Sequence, residues 1–576
     1  MSLRTHLESF FARLSQTTYY YLLLFALLLP NLVLSVVMQQ PMIGRVLNVL
    51  VMLPIYMLVL LIAKRPGRVY WGLLVLILLH AFQLVLLTIF SGSVVAVDML
   101  LNLFTSEPDE AGELLSNILL PILSIGGFYL VSLIVATASA VTQGSLLRSW
   151  RIRMGKIACG ILLLALPIYI GAKQRFPYLH LRAEVYPMSV FYNMYLATKK
   201  LREVLRYDQT SAEFCFGATS ERDEDQPEVY VLVLGETSRA HSWSLFGYPR
   251  PTTPHLERLP KEELVAFRDV MTQSNTTYKS IPIILSPADA EHAEELPRVQ
   301  GLLAAFREAG FYTVFISNQP ANRSYIDYFA QQGDEHHAIR KEIRHPKRRI
   351  YDTDMLPYLK RALEAKHKKL LVVLHTYGSH FSYRDRCPQA EQTFPVPKSY
   401  SGAAKDSLAL RNAYDNAIVA TDRFLASVIE LLRALECPAS MLYISDHGED
   451  VYDDARERFL HSSPDISYYQ LHVPMLLWMS PAYRKSYPQL VATAQANQRR
   501  PISTNAVFPT MLELAGIRTR YRRDSLSVVS SSLRTGTRYY LNDRYACVPL
   551  EALDLAEEDV CLFRKKGLQL PLPSCP

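Results

Sequence analysis

The sequence predicts a two-part protein: five helices that span a membrane, then an α/β domain built on a largely parallel sheet. Three observations carry that reading. Charge is segregated, because the first 172 of 576 residues hold only six of the 54 acids and ten of the 61 Lys/Arg. Within that region, five long runs contain no Asp, Glu, Lys or Arg at all. From residue 228 onward, short apolar runs alternate with longer amphipathic stretches, the pattern of strand–helix units. A net charge of +7 is mild for this length and no Lys/Arg-rich block occurs, which argues against a nucleic-acid partner.

The uncharged runs are 14–44, 46–63, 69–97, 114–147 and 157–172. A bilayer core about 30 Å thick needs about 20 apolar residues in a helix. Four runs meet that length, and the fifth, interrupted by Pro167, needs neighbouring residues to complete it. The first run is too long for a signal peptide and lacks a small-residue cleavage site. Basic residues in the short loops set the orientation. Lys64, Arg65 and Arg68 lie between spans two and three, and Arg148, Arg151, Arg153 and Lys156 between spans four and five. Both loops, with Arg4 and Arg13, are expected in the cytoplasm. Spans three and four are joined by an acidic stretch with Asp98, Glu107, Asp109, Glu110 and Glu113. Five spans that start inside end outside, so the chain after about residue 173 is expected to be extracytoplasmic.

One of seven cysteines, Cys159, lies in a span; Cys215, Cys387, Cys437, Cys547, Cys561 and Cys575 come after it. Six is even, and an oxidising compartment permits three disulfides, though fifteen pairings are possible. Segment 184–206 places Met188, Phe191, Tyr195 and Leu196 on one helical face, followed by Lys199, Lys200 and Arg202. It reads as an interfacial helix on lipid headgroups, or as a surface helix packed on the soluble domain. Segment 211–227, with Glu221, Asp223, Glu224 and Asp225, reads as a polar linker. The expected division is 1–173 membrane domain, 174–227 interfacial helix and linker, and 228–576 soluble domain.

In the soluble half, strands are expected at 229–234, 312–316, 370–375, 441–444 and 474–478, and helices at 298–309, 407–435 and 505–515. Ligand sites of such sheets lie beyond the carboxyl ends of the strands. There the sequence places Gly235-Glu236-Thr237, His375 with His380, and Ser445-Asp446-His447-Gly448-Glu449. Two carboxylates and an imidazole at one sheet edge suit zinc, or manganese. Each piece alone is ordinary: a Glu after a strand is usually a cap or solvated charge, and His375, His380, His461 and His472 are each more often core or surface residues. Their coincidence at corresponding strand ends favours a metal site. His-Glu-x-x-His, G-x-S-x-G and P-loop motifs are absent.

The stretches VLVLGETSRAHSWSLFGYPRPTTP (231–254), SNTTYKSIPIILS (274–286), HTYGSH (375–380), YDNAIVATD (414–422), SDHGED (445–450) and LHVPMLLW (471–478) resemble bacterial phosphoethanolamine transferases. These are inner-membrane enzymes of the alkaline phosphatase/sulfatase superfamily, among them the lipid A modifiers behind polymyxin resistance. The resemblance covers nearly the whole chain, since that family also has five spans followed by a periplasmic catalytic domain. It implies an alkaline phosphatase/sulfatase-like α/β fold for 228–576. It also implies transfer of phosphoethanolamine from phosphatidylethanolamine to lipid A, a lipopolysaccharide core sugar or another glycan. A monomer working among membrane lipids is expected.

Matched motif by motif, the resemblance implies Glu236, Thr277, Asp446 and His447 as ligands of one or two zinc ions. Thr277 is the implied nucleophile because it opens T-x-x-S-x-P five residues before Pro282; adjacent Thr276 does not. His380 and His461 match histidines placed around the phosphoryl group or a second zinc. Asn102, Ser106 and Glu110 match a substrate-facing N-x-x-x-T-x-x-x-E-A pattern, with Ser in place of Thr. Where lipid A-type members flank the nucleophile with a cysteine pair, this chain has Asn275 and Ile283. That departure points toward the branch acting on core sugars or other glycans.

Independently of any resemblance, a threonine hydroxyl is a poor nucleophile at neutral pH unless a base or metal activates it. The alternatives are a phosphoglycerol transferase of the lipoteichoic-acid type, and a non-catalytic membrane sensor with a hydrolase-like domain. GETSRA with the HTYGSH–SDHGE set argues against the first, and the joint presence of Glu236, Thr277, Asp446 and His447 against the second. A sulfatase activity lacks its Cys/Ser-x-Pro-x-Arg signature near Thr277.

Overall fold

A computed structural model describes residues 14–38, 42–88, 94–105, 119–175, 180–321, 323–343, 348–397, 400, 406–462 and 464–570. The chain divides into two compact units, Met1–Leu100 with Gly112–Thr198, and Leu101–Ala111 with Lys199–Pro576.

The first unit is helical. Gln16–Val37, Met42–Leu60, Leu119–Val141 and Arg148–Arg175 are each long and apolar enough to cross a membrane. Pro66–Gly72 and Leu74–Leu86 form a fifth, bent by 71°. The last helix is longer than its uncharged run, because it begins at Arg148 and takes in the basic residues assigned to a loop. Arg65 donates to the carbonyls of Ala140 and Gly144, at the end of Leu119–Val141. Arg151 donates to the carbonyls of Leu61 and Ile62, just past Met42–Leu60. Cations at helix carboxyl ends offset both orphan carbonyls and the helix dipole. Two facing asparagines tie the first two helices: Asn31 Nδ2 reaches Asn48 Oδ1 at 3.0 Å and Asn48 Nδ2 the Asn31 carbonyl at 3.1 Å. Polar pairs of this kind link helices where apolar burial adds no preference.

In the second unit a seven-stranded sheet comprises β1 (Glu228–Gly235), β2 (Leu264–Phe267), β3 (Tyr312–Ser317), β4 (Glu335–Ala338), β5 (Lys369–His375), β6 (Ala439–Ser445) and β7 (Met475–Met479). Their order is β2-β7-β6-β1-β5-β3-β4. The five strands from β6 to β4 run parallel, while β7 is antiparallel to both β6 and β2. All five expected strands are present; β2 and β4, the two edges, were not expected. β1, β5 and β6 are buried along their whole length, as their continuous Val/Leu/Ile runs require of strands covered on both faces. The helices Leu302–Glu308, Ser407–Arg433 and Val507–Leu514 answer the three expected ones.

Two other expectations change. Segment 211–227 is not a free linker, since Phe216 is buried and Thr219–Ser220 pairs with Ile517–Arg518. Cys215, Cys387, Cys437, Cys547 and Cys561 are free thiols, so the expected disulfides are not formed among the described residues. Cys575 lies outside them.

Candidate metal and nucleophile site

β1 is the centre of the sheet, with β5 on one side and β6 on the other, parallel to both. Open α/β sheets bind ligands beyond the carboxyl ends of such strands. Glu236 comes directly after β1, and Asp446 and His447 directly after β6, one strand away. An oxygen or ring nitrogen from each of the three lies within 4.8 Å of the others, and all three are buried. His447 Nε2 is 3.2 Å from Asp446 Oδ2 and 3.7 Å from Glu236 Oε1.

Thr277 begins the helix Thr277–Ile284, with Thr276 as its extended N-cap. Thr277 Oγ1 lies 2.9 and 3.1 Å from the two oxygens of Glu236 and 3.3 Å from His447 Nε2. Thr276 Oγ1 is buried without a partner. Ser280, one turn on, donates to the Asp446 carbonyl at 2.6 Å, which pins this helix to the end of β6. The serine of T-x-x-S-x-P therefore has a structural reason.

The electrostatics of this cluster are adverse. Burial, and then the charge of Asp446, raises the Glu236 carboxyl above its ordinary range. Burial raises Asp446 as well, against hydrogen bonds to its Oδ1 from the backbone N–H of Thr237 at 2.9 Å and His447 at 2.7 Å. Asp446 Oδ2 is buried with no hydrogen-bond partner. A buried carboxylate pair with one orphaned oxygen, an imidazole and a hydroxyl is the donor set a divalent cation completes.

Backbone strain sits beside the first carboxylate. Thr237, a β-branched residue, has φ of 58°, a left-handed conformation disfavoured for such side chains. Its carbonyl accepts from Tyr414 Oη at 2.7 Å, and that same hydroxyl accepts from Arg239 N at 3.1 Å. Arg239 is fully buried, paired with Asp453 at 2.5 Å and bonded to the Glu449 carbonyl at 3.1 Å. The tyrosine of YDNA and the arginine of GETSRA thus hold the turn that presents Glu236.

His380 and His461 are also brought near. The His461 ring centroid is 4.2 Å from that of His447 and 6.3 Å from that of His380. His461 Nδ1 is engaged by Glu449 Oε1 at 3.0 Å, and His380 Nδ1 donates to the Phe381 carbonyl at 2.6 Å. Burial lowers His461 to about 4 and holds His380 well below its usual value, so both rings are neutral at pH 7. His375 and His472 take no part. His375 is buried at the end of β5, and both ring nitrogens of His472 are used, by Tyr468 Oη and the Arg268 carbonyl. Asn102 falls in the helix Val97–Thr105 without a described side chain, and Ser106 and Glu110 lie outside the described residues.

Sequence reasoning missed two supporting residues, Gln319 and Asp352, and named a third, Glu449, at a strand end without giving it a role. Gln319, just past β3, donates to Glu236 Oε2 at 3.0 Å and to the Thr376 carbonyl at 2.9 Å. Half-buried Asp352 accepts from Asn318 Nδ2 at 2.8 Å and from the backbone of Tyr377 and Gly378 at 2.7 and 3.0 Å. It clamps the turn in which Gly378, at φ 46°, packs against the Glu236 backbone. Glu449 is the third, through His461. Asn318 and Gln319 stand at the carboxyl end of β3, so the strand-end signal that marks Glu236, His375 and Asp446 marks them too.

A family model described as Sulfatase matches residues 228–517. Phosphoethanolamine transferase EptC of Escherichia coli (strain K12) is 28% identical over 326 residues, 55% of this chain and 56% of that protein. The match therefore spans about half the length of that relative. The crystal structure of the C-terminal periplasmic domain of EptC from Escherichia coli, in complex with Zn, is 27% identical with a TM-score of 0.54. It covers 59% of this chain and 97% of that one. The integral membrane protein lipooligosaccharide phosphoethanolamine transferase A from Neisseria meningitidis covers 91% of this chain and 99% of its own. Its TM-score is 0.69 at 21% identity, a likeness of fold that includes both the helical part and the sheet domain.

Proposed function

The chain belongs to the sulfatase family, and from that premise we propose that it moves phosphoethanolamine from phosphatidylethanolamine to a cell-envelope acceptor through a covalent adduct on Thr277. The observation that carries this reading is the Thr277 hydroxyl, at the start of its helix, within 3.3 Å of both the Glu236 carboxylate and His447 Nε2. Support for the transferred group comes from relatives named phosphoethanolamine transferases. The acceptor is lipid A, a core sugar or another envelope glycan, and residues 228–576 form the catalytic domain on the periplasmic side of a bacterial inner membrane. Asn102, Ser106 and Glu110 stay as proposed substrate contacts.

Glu236, Asp446, His447 and Thr277 would hold a metal, zinc before manganese, as one ion or the first of two. When bound, such an ion lowers the pKa of the hydroxyl and offsets charge on the phosphoryl oxygens. The chain's own residues do the rest. Thr277 Oγ attacks phosphorus in line, the bond to the diacylglycerol oxygen breaks, and diacylglycerol leaves carrying the proton lost by Thr277. An acceptor oxygen then attacks the same phosphorus, the bond to Thr277 Oγ breaks, and the acceptor's proton returns to Thr277. Neutral His380 and His461 are able to take up and hand on that proton at Nε2, because each has its Nδ1 already committed.

The test is intact-protein and peptide mass spectrometry after incubation with phosphatidylethanolamine and no acceptor. One phosphoethanolamine increment is expected on Thr277 and none on Thr276. Thr277→Ala abolishes it, and Thr277→Ser retains part. A phosphoglycerol increment from phosphatidylglycerol, or an unmodified peptide during diacylglycerol release, would overturn the reading.

A further inference from the structure

Gln470 joins the two stretches of chain that build the site, and the two displacements give it no part. Its Oε1 accepts from Nδ2 of Asn275, two residues before Thr277, at 2.7 Å. Its Nε2 donates to Oδ2 of Asp450, three residues after His447, at 2.6 Å. Its carbonyl accepts from the backbone N–H of Gly448, next to His447, at 2.9 Å. One side chain therefore reaches the approach to the nucleophile and the strand that leaves the metal-ligand turn, while its own backbone holds that turn. Asn275, Asp450, Ser467 and Gln470 are each at most 3% exposed.

The direction of this chain of bonds is set at one end. An ionised carboxylate only accepts, and Oδ1 of Asp450 already takes the Ser467 hydroxyl at 2.7 Å. Gln470 must then turn its NH2 toward Asp450 and its oxygen away, and Asn275 must meet that oxygen with its own NH2. Buried groups have no water to fall back on, so one broken link leaves a donor or acceptor unpaired. Thr276, between Asn275 and Thr277, adds no side-chain anchor, since it caps the helix without a side-chain hydrogen bond and its Oγ1 has no partner. Ser280 holds the helix beyond Thr277, through the Asp446 carbonyl. Asn275 holds the chain before it.

We propose that Gln470 is a positioning residue that fixes the Thr277 hydroxyl against the metal-ligand turn, through Asn275 on one side and Asp450 on the other. The inference rests on Thr277 as the nucleophile. Displacing a reacting group by about 1 Å costs on the order of 100-fold in rate. Gln470 and its partners are buried and do not touch the donor, so the effect falls on the rate at saturation and not on donor affinity.

The test uses the full chain in detergent at pH 8, where Asp450 is mostly ionised. Gln470→Met keeps the bulk and removes both side-chain bonds; Asn275→Leu, a milder second variant, removes the bond to Gln470 alone. Each should slow Thr277 adduct formation from saturating phosphatidylethanolamine about 10- to 100-fold, with the half-saturating donor concentration unchanged. In metal-free protein, hydrogen exchange should rise about tenfold in the peptide covering Ser274–Ser286 and stay level in β1 and β5. The paired change Gln470→Glu with Asp450→Asn moves the charge along the chain and keeps every bond, because the new carboxylate accepts from Asn275 and from the amide that replaces Asp450. It should restore both rate and exchange. Unchanged adduct rates in both single variants, a loss that appears as weaker donor affinity, exchange that rises evenly across the domain, or a paired variant no better than Gln470→Met would each overturn the proposal. If the parent forms no adduct, the transfer reading fails, and exchange in Ser274–Ser286 alone decides whether Gln470 holds this loop.

Discussion

Replacing Asp446 by asparagine separates the work of its charge from the work of its shape. The asparagine Oδ1 can keep both backbone bonds, from Thr237 at 2.9 Å and His447 at 2.7 Å. Its Nδ2 would occupy the place of an oxygen that now has no partner and lies 3.2 Å from His447 Nε2, an available acceptor. The chelated variant is therefore expected to be at least as stable as the chelated parent, since one of two crowded buried carboxylates is gone. With zinc the order reverses. At a free concentration 1,000 times the parent's Kd, the parent gains about 4 kcal/mol. Loss of a direct ligand should weaken binding at least about 100-fold, the upper range for mere supporting residues. The variant then gains no more than about 1.4 kcal/mol. For a soluble unit of this size that corresponds to a rise of about 5 °C for the parent and under about 2 °C for the variant. Scanning calorimetry of the full chain with chelator and with zinc measures both, and transfer of phosphoethanolamine measures activity. An equal zinc-induced rise in the two proteins, or undiminished activity in the variant, would refute the assignment of Asp446.

Gln319→Ala frees Glu236 Oε2 from its amide without removing the carboxylate; zinc affinity should fall about 10- to 100-fold while the melting temperature under chelator moves little. Gly448→Ala would place a Cβ 2.0 Å from the Tyr469 carbonyl oxygen, so several kcal/mol of stability should be lost and the protein should fail to accumulate. Asp450, bonded by Ser467 and Gln470 at 2.7 and 2.6 Å, is pushed up to about 7 by burial. Between its unfolded value near 4 and that folded value the native chain holds a proton the unfolded chain has released, so stability falls as pH rises through this window, by on the order of a few kcal/mol. Asp450→Asn should reduce that slope without abolishing it, since burial raises Glu236, Asp446 and Glu449 as well. The fall in melting temperature from pH 5 to pH 8 under fixed chelator should be smaller than the parent's. Reporter fusions near Lys64 and after Arg206 should lie on opposite sides of the membrane, and the same side for both would contradict the assigned topology.

The central strands were legible because burial on both faces leaves no polar alternation, and a run such as Val-Tyr-Val-Leu-Val-Leu has no other soluble use. The edges were not. β4 reads Glu-His-His-Ala and owes its strand conformation to pairing with β3, a tertiary effect that no local propensity announces. Glu236, Asp446 and His447 were legible for a related reason: each comes just after a readable strand, and the sheet brings their ends together. Gln319 and Asp352 were hidden by type, since an amide or a lone carboxylate in a loop has many ordinary explanations. Asp352 precedes a helical stretch and stands at no strand end, so even a consistent survey of strand ends passes over it. Cysteine parity misled, because an even count permits bridges but says nothing about separation in space.

The placement of β1 also has a bearing on how the protein is made. β1 is central, yet its two neighbours, β5 and β6, enter the chain some 140 and 210 residues later. Pairings over such separations form slowly and late, after much loop entropy has been lost. Glu236 is therefore synthesised long before Asp446 and His447 exist beside it, and Thr277 waits for both. A metal ion has no partial site to seize early and cannot template this fold as it does a zinc finger. On the proposed reading of the site, loading comes after assembly, so a newly folded chain passes through a finished but metal-free stage whose length depends on the free metal around it.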